Sequence, residues 1–323
     1  MIDNVKIGLL LPSDCVPSIV AKCGLTRRDL RTADGKTSTE YETANERLTG
    51  VYIKIDEKGA TVQCSAHKVY SKYLRPDIGR LENVCEFTMA DARRVMLEWL
   101  PLYIGVPDLS GALVQYMEIG MTLPMNRPAV EYIARMVAVG RSRELLIAPD
   151  QRRNTQRVTS RSRNSRVTFK VYDKAAEMVD RRRCARSAVS GCNLLRIETI
   201  YRRPQSMTLA DVFAKSAQLL TRFYRDWRCV EFVQFLDPPK GEKPQRVEWA
   251  TEILSEGVER FADRVRLQYA DGVISRRAYR SAMDFAKYWP THRGRYATRP
   301  SPHEVEFVEM LEKWQRRALL PGC

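Results

Sequence analysis

Reactive side chains recur at alternate positions in three short segments: Glu118 in residues 112–123, Lys170, Tyr172 and Lys174 in 166–174, and Arg196 and Glu198 in 193–201. Two carboxylates without a histidine partner suit Mg2+ or Mn2+, hard ions that prefer oxygen ligands. Such an ion polarises a phosphoryl oxygen. A phenol, with an ordinary pKa of about 10, is a poor nucleophile at neutral pH unless cations or a metal favour the phenolate. Lys170 and Lys174 stand two residues to either side of Tyr172. They can supply that field and stabilise charge on a five-coordinate phosphorus. Arg196 offers a planar fork for a phosphate. Glu118 and Glu198 are therefore the candidate metal ligands, and Tyr172, Lys174 and Lys170 the candidate catalytic groups. The same residues admit plainer readings: a strand tyrosine that only packs, and a Glu118 that is solvated or paired with a nearby arginine.

The elements that must position these groups are strands. In 112–123 the alternation puts Leu113, Met117, Ile119, Met121 and Leu123 on one face and Tyr116, Glu118 and Thr122 on the other. In 166–174, Val167, Phe169 and Val171 face the core while Thr168, Lys170, Tyr172 and Lys174 face outward together. In 193–201, Leu195, Ile197, Thr199 and Tyr201 oppose Arg196 and Glu198. Tyr201 is the reserve nucleophile, on the apolar face. Residues 50–56 and 60–66 read as two strands joined at Lys58-Gly59. Helices are predicted over 88–103, from Pro128 to about Val139, over 174–186 and over 208–227, with Thr88 and Thr208 as caps. Residues 1–45 show turn signals and no clear element.

Pro238-Pro239-Lys240-Gly241 marks a boundary, beyond which the pattern is helical only, about 246–269, 275–289 and 302–318. Residues 290–303, rich in Arg and Pro, read as a linker. The expected class is α+β, with a core over 1–237 and a helical C-terminal segment over 238–323. VYIKID (51–56) and TFKVYD (168–173) suggest an internal pseudo-repeat, about 50–140 and 166–227.

Charge points to the partner. Lys plus Arg minus Asp plus Glu is 54 − 39 = +15 over 323 residues, and that excess favours a polyanion. Residues 151–170 hold seven Lys or Arg and no acid. Arg152, Arg153, Arg157, Arg161, Arg163 and Arg166 among small hydroxyl residues suit a DNA backbone. The eight cysteines form no CxxC pair and the three histidines no HExxH, against a zinc ribbon or a disulfide framework. No run reaches the length of a membrane span, and the N-terminus has an acid before a short apolar run. A cytoplasmic protein that meets no membrane is expected.

Four elements in order carry a family resemblance: Ser65-Ala66-His67-Lys68, Tyr116-Met117-Glu118, Tyr172-Asp173-Lys174-Ala175-Ala176-Glu177, and Leu195-Arg196-Ile197-Glu198. Together they resemble the replication initiation proteins of filamentous phages, the gene II/X-type family, which is similar in turn to rolling-circle initiators of small plasmids. Ser65 to Lys68 matches the family's Ser-Pro-x-Lys with Ala66 for Pro. Tyr172, Lys174 and Glu177 match Tyr-x-Lys-x-x-Glu, and Arg196 to Glu198 match Arg-Phe-Glu. Met117 and Glu118 stand where the family has Arg-Ile-Asp. The resemblance covers roughly residues 1–225.

The resemblance implies an antiparallel-sheet catalytic core of the rolling-circle initiator type and a metal-dependent, origin-specific nickase and strand transferase. Tyr172 would be joined to a 5′-phosphate, leaving a 3′-OH for a host polymerase, with Mg2+ or Mn2+ as cofactor. Lys68 and Arg196 join the DNA-binding set. Origin DNA, duplex and single-stranded, is the implied partner in a bacterial host cell, with a helicase as a further candidate. Two other classes stay open: a DNA-binding replication regulator without catalysis, whose C-terminal helices read the origin, and a metal nuclease that uses water. Segment 275–289 has a basic face suited to a groove and reads first as an amphipathic packing helix.

Overall fold

The computed structural model describes residues 1–31, 37–44, 50–77, 87–139, 143–147, 156–159, 166–181, 184–204, 206–232, 235–292 and 296–319. The chain is mixed α+β with a large antiparallel sheet and C-terminal helices. It forms two compact units, one of Met1–Ala134, Ala138–Val230 and Glu309–Cys323, the other of Arg135–Val137 and Glu231–Val308.

The strands of the first unit are β1 (Ile2–Leu9), β2 (Leu25–Arg31), β3 (Thr37–Thr43), β4 (Val51–Asp56), β5 (Gly59–Ser65), β6 (Leu113–Pro124), the Ala138 and Val139 end of β7 (Met136–Val139), β8 (Arg143–Ile147), β9 (Gln156–Thr159), β10 (Val167–Asp173) and β11 (Leu194–Arg202). They lie in the order β7-β8-β9-β10-β11-β6-β1-β5-β4-β3-β2. The N-terminal strand is thus central, inserted between β6 and β5 and antiparallel to both. Val5 and Ile7 alternate with Asn4, Lys6 and Gly8, and the apolar set is fully buried. Burying each such side chain stabilises the fold by about 1.5–3 kcal/mol. This corrects the reading of residues 1–45, which hold β1, β2, β3 and the helix α1 (Val16–Cys23).

The strand expectations hold at β4, β5, β6, β10 and β11. Helix α2 (Ala66–Val69) follows β5 directly and continues in a wider turn, Tyr70–Leu74. The helix expected over 88–103 is α3 (Met89–Arg93), a wider turn (Arg94–Trp99) and α4 (Leu100–Ile104), opened by a capping box between Thr88 and Asp91. The helix expected to reach Val139 stops early: α5 (Ala129–Arg135) gives way to β7, whose Ala138 and Val139 pair with β8. A run of Met, Val and Ala is apolar enough for either element, and sheet pairing decides. Residues 174–186 hold only a short helix, α6 (Lys174–Asp180). The two halves of the suggested pseudo-repeat differ in order. β4 returns as β5 before its helix, whereas β10 runs straight into α6 and only then returns as β11.

The helix over 208–227 is broken at Lys215 into α7 (Leu209–Ala214) and α8 (Ser216–Arg228). Leu220, Phe223, Tyr224 and Trp227 recur at helical spacing and are buried. Trp227 Nε1 donates to Thr199 Oγ1 at 3.1 Å, and its ring meets Phe169 edge-on at 5.8 Å. Helix α8 therefore covers the apolar face of β10 and β11, and the reactive residues project from the opposite face.

The second unit packs α9 (Pro244–Glu256), α10 (Val258–Ala270), α11 (Arg276–Lys287) and α12 (Trp289–His292) around Phe261, Val265, Phe285 and Trp289. It is not helical only: β12 (Phe235–Asp237) pairs with β13 (Ala297–Arg299), inside the stretch expected as a linker. Helix α13 (Pro302–Leu319) closes the chain. Among the described residues no helix is long and apolar enough to cross a membrane.

Candidate metal centre

Strands β1, β6, β11 and β10 are neighbours, and their registers bring the reactive residues together. Lys170 lies opposite Glu198, Tyr172 opposite Arg196, and Glu198 opposite Gly120. On the other side of β6, Asn4 lies opposite Glu118. The β1–β6 pairing jumps from Ile2↔Ile119 to Asn4↔Glu118, so Asp3 is an extra residue in a β-bulge. Bulges re-aim side chains, and this one gives the site a third carboxylate. Asp3, Glu118 and Glu198 each present an oxygen within 4.8 Å of the others.

Cations and donors surround this triad. Arg196 donates from Nη2 to Asp3 Oδ2 at 2.6 Å, from Nε to Glu198 Oε1 at 3.1 Å and from Nη1 to Thr122 Oγ1 at 3.1 Å. The Tyr172 phenol donates to Glu198 Oε1 at 2.8 Å. Lys170 Nζ lies 3.3 Å from Glu198 Oε2 and 4.4 Å from the centre of the Tyr172 ring. His67, on α2, pairs with Asp3 through Nδ1, and Tyr116 pairs with Glu118. Lys174 pairs with Glu177 at 3.0 Å, and Arg181 holds the other oxygen of Glu177 at 2.9 Å.

Burial sets the electrostatics. The Glu118 carboxyl is pushed up to about 7, by burial first and then by Glu198 and Asp3. Burial alone would raise the Asp3 carboxyl as well. The His67 ring and the Arg196 guanidinium outweigh it and hold that group well below the usual carboxylate range. Burial and then Glu198 push the Tyr172 phenol well above its ordinary value. The expected effect of the flanking lysines is thereby reversed: removal from water and a carboxylate neighbour together exceed the pull of the cations. Burial also lowers the Lys174 ammonium.

Of the residues singled out in the sequence, those that the structure describes have definite places. Glu118, Glu198, Tyr172, Lys170 and Arg196 meet at the triad. Tyr172 and Lys174 do not face outward into solvent but are 6% and 3% exposed. Arg196 is buried and engaged by Asp3, Glu198 and Thr122, so it braces the carboxylates and has no fork free for a phosphate. Lys68 is half-buried on α2. Tyr201 is buried on the face covered by α8, with the Arg222 guanidinium 5.8 Å from its ring. Arg166 is exposed just before β10. Arg152, Arg153, Arg161 and Arg163 lie outside the described residues, and of Arg157 only the backbone, in β9, is described.

Sequence reasoning missed Asp3, His67 and Gly120. The available signal was an acid inside the apolar alternation of β1. Gly120 is required by a close approach. A Cβ there would stand 2.5 Å from Arg196 Nη2, 2.9 Å from Arg196 Cζ and 2.9 Å from Glu198 Cγ. Its bare backbone is the gap through which Arg196 reaches β1.

The oxygen donors fit a hard divalent cation. Asn4 Oδ1 is buried and accepts no hydrogen bond, and Glu198 Oε2 is buried with only the Lys170 ammonium, 3.3 Å away, beside it. Burial and the two neighbouring carboxylates raise the Glu118 carboxyl, which a bound cation would offset. The site could therefore hold a metal ion. The sequence matches no protein-family model and no curated protein.

Proposed function

We propose that the chain is a metal-dependent DNA strand-nicking and rejoining enzyme of the rolling-circle initiator type, with Tyr172 as nucleophile. The observation that carries this reading is the hydrogen bond from the Tyr172 phenol to Glu198, itself one of three clustered carboxylates. A nucleophile, its proton acceptor and an acidic triad share one sheet face. Asp3, Glu118 and Glu198 would hold Mg2+ or Mn2+. That ion, when bound, supplies Lewis-acid polarisation of a phosphoryl oxygen.

The remaining chemistry belongs to the chain's own residues. As the phenol oxygen bonds to phosphorus, its proton passes to Glu198 Oε1. The P–O3′ bond breaks, and the departing oxygen takes a proton from the Lys170 ammonium. Both transfers reverse when the strand is rejoined. The link conserves the energy of the broken bond, so no nucleotide cofactor is consumed. Arg196 keeps Asp3 and Glu198 in fixed relation. Lys6, Lys170 and Arg202, half-exposed on the same face, contact the DNA backbone. In a bacterial cytoplasm the substrate is origin DNA, and the freed 3′-OH is handed to a host polymerase.

The test is a covalent adduct. The full chain is incubated with supercoiled replicon DNA, or a single-stranded oligonucleotide library, with Mg2+ or Mn2+. A protein–DNA species that survives denaturant and disappears in Tyr172→Phe is the expected outcome. The burial of Tyr172 favours one other reading, a nuclease that uses water. Nicking that persists in Tyr172→Phe with no adduct would establish it. Binding without any nicking would leave only a DNA-binding regulator.

A further inference from the structure

We infer that helix α11 of the second unit is a recognition helix for duplex DNA. Helix α10 ends at Ala270, a short turn follows, and α11 begins at Arg276. Gly272 adopts φ +69°, a left-handed conformation that glycine accepts without strain. Its N–H bonds to Tyr269 O at 3.1 Å, and Val273 N–H bonds to Gln268 O at 2.8 Å, closing the end of α10. Ser275 Oγ then caps α11 by accepting the Ala278 N–H at 3.2 Å. Two helices joined through a short glycine-containing turn share one apolar core with a third, α9.

The two faces of α11 have opposite characters. Ala282, Phe285 and Ala286 are buried in the unit's core, with Phe261 and Val265 of α10 and Ile253 of α9. Arg276, Arg277, Arg280 and Lys287 are exposed on the other side, with Asp284 as the acid on that side. Neighbouring arginines of the unit are neutralised. Arg264 pairs with Glu252 and Glu256, Arg266 with Asp263, and Arg246 with Glu242. Arg276, Arg277 and Arg280 make no ion pair among the described residues. Cations left unpaired on one helix, at its first turns, are complementary to the phosphates and guanine edges of a DNA major groove. The deep, narrow major groove of duplex RNA does not admit a helix, so DNA is the occupant.

This inference does not rest on Tyr172, because binding by α11 requires no cleavage elsewhere. The test uses the full-length chain and fluorescence anisotropy with a mixed-sequence DNA duplex, the matching single strand and an RNA duplex, over a range of salt. R276A/R277A/R280A should weaken DNA-duplex binding about tenfold or more and reduce the slope of log Kd against log salt by about 2–3. R276K/R277K/R280K should recover most of the loss by retaining charge. K240A/K243A/R246A, which removes three exposed cations elsewhere in the same unit, should change affinity less than about threefold. The inference is overturned if the α11 arginine-to-alanine variant binds the DNA duplex like the parent, if the control variant loses as much, or if the RNA duplex binds as tightly as the DNA duplex. Circular dichroism of each variant verifies that the helices persist, which exposed positions should allow.

Discussion

Arg196 Nη2 lies 2.6 Å from Asp3 Oδ2, an ion pair that joins β11 to β1 across the intervening strand β6. It is possible because β6 carries Gly120 where the guanidinium crosses. One arginine thus fixes two of the three carboxylates.

The first prediction concerns that gap. In Gly120→Ala the added methyl would collide with Arg196 and Glu198, whose positions are tied by their hydrogen bonds to each other and to Asp3. Over-packing of this kind costs about 1–3 kcal/mol. Thermal unfolding should show the loss. Titration with Mn2+ should show weaker binding, because the Asp3–Arg196–Glu198 geometry shifts. An unchanged Mn2+ affinity would argue that the triad does not depend on this brace.

Arg196→Ala leaves Asp3 and Glu198 as buried charges without their shared partner. Breaking a buried pair from one side destabilises by about 3–5 kcal/mol, readable by urea unfolding. Arg196→Lys keeps the charge but loses the fork that spans both acids. It should retain part of the stability while weakening metal binding, and comparison of the two variants separates charge from geometry.

A third prediction follows from Glu118, whose folded pKa of about 7 lies above its ordinary 4.5. The folded state therefore holds a proton that the unfolded chain releases. The associated stability is fully present below pH 4.5 and is lost as pH rises through 7, on the order of 3 kcal/mol. Asp3 works in the opposite sense, but below its ordinary 3.8, outside this window. Burial lowers the Met1 amino group to about 5 and also lowers the His67 ring, and both work in the opposite sense inside this window. The Glu118 contribution is therefore read as the difference in pH-dependent melting between the metal-free parent and Glu118→Gln. Binding of Mg2+ or Mn2+ requires the deprotonated carboxylate, so affinity should increase with pH up to about 7 and each ion bound should release a proton. Calorimetry in buffers of different ionisation enthalpy measures that proton.

Trp227→Phe supplies a contrast on the other side of the sheet. It removes the donor to the buried Thr199 hydroxyl, at a cost of about 1–3 kcal/mol. Urea unfolding should register that loss while Mn2+ affinity stays the same, since Thr199 points away from the triad.

Local regularities were legible in the sequence. Alternation located β4, β5, β6, β10 and β11 and assigned Glu118, Glu198, Lys170 and Tyr172 to a polar face. The Thr88 and Thr208 caps marked two helix starts, because a cap is a bond between residues three positions apart. Side-chain period and capping are properties of neighbours along the chain, so they needed no fold. Whether a polar face meets water is not such a property. It depends on which strands pair and what lies over them, and only the tertiary structure decided that Tyr172 and Lys174 are buried. Burial in turn decided the direction in which the phenol titrates. Asp3 entered the site through a bulge whose effect exists only once β1 lies between β5 and β6. Arg196, read from sequence as a phosphate ligand, became a brace because its partner carboxylate stands 193 positions away in the chain. The sequence carried the reactive groups and their spacing; long-range strand pairing decided which of them share a dielectric, and hence which are charged.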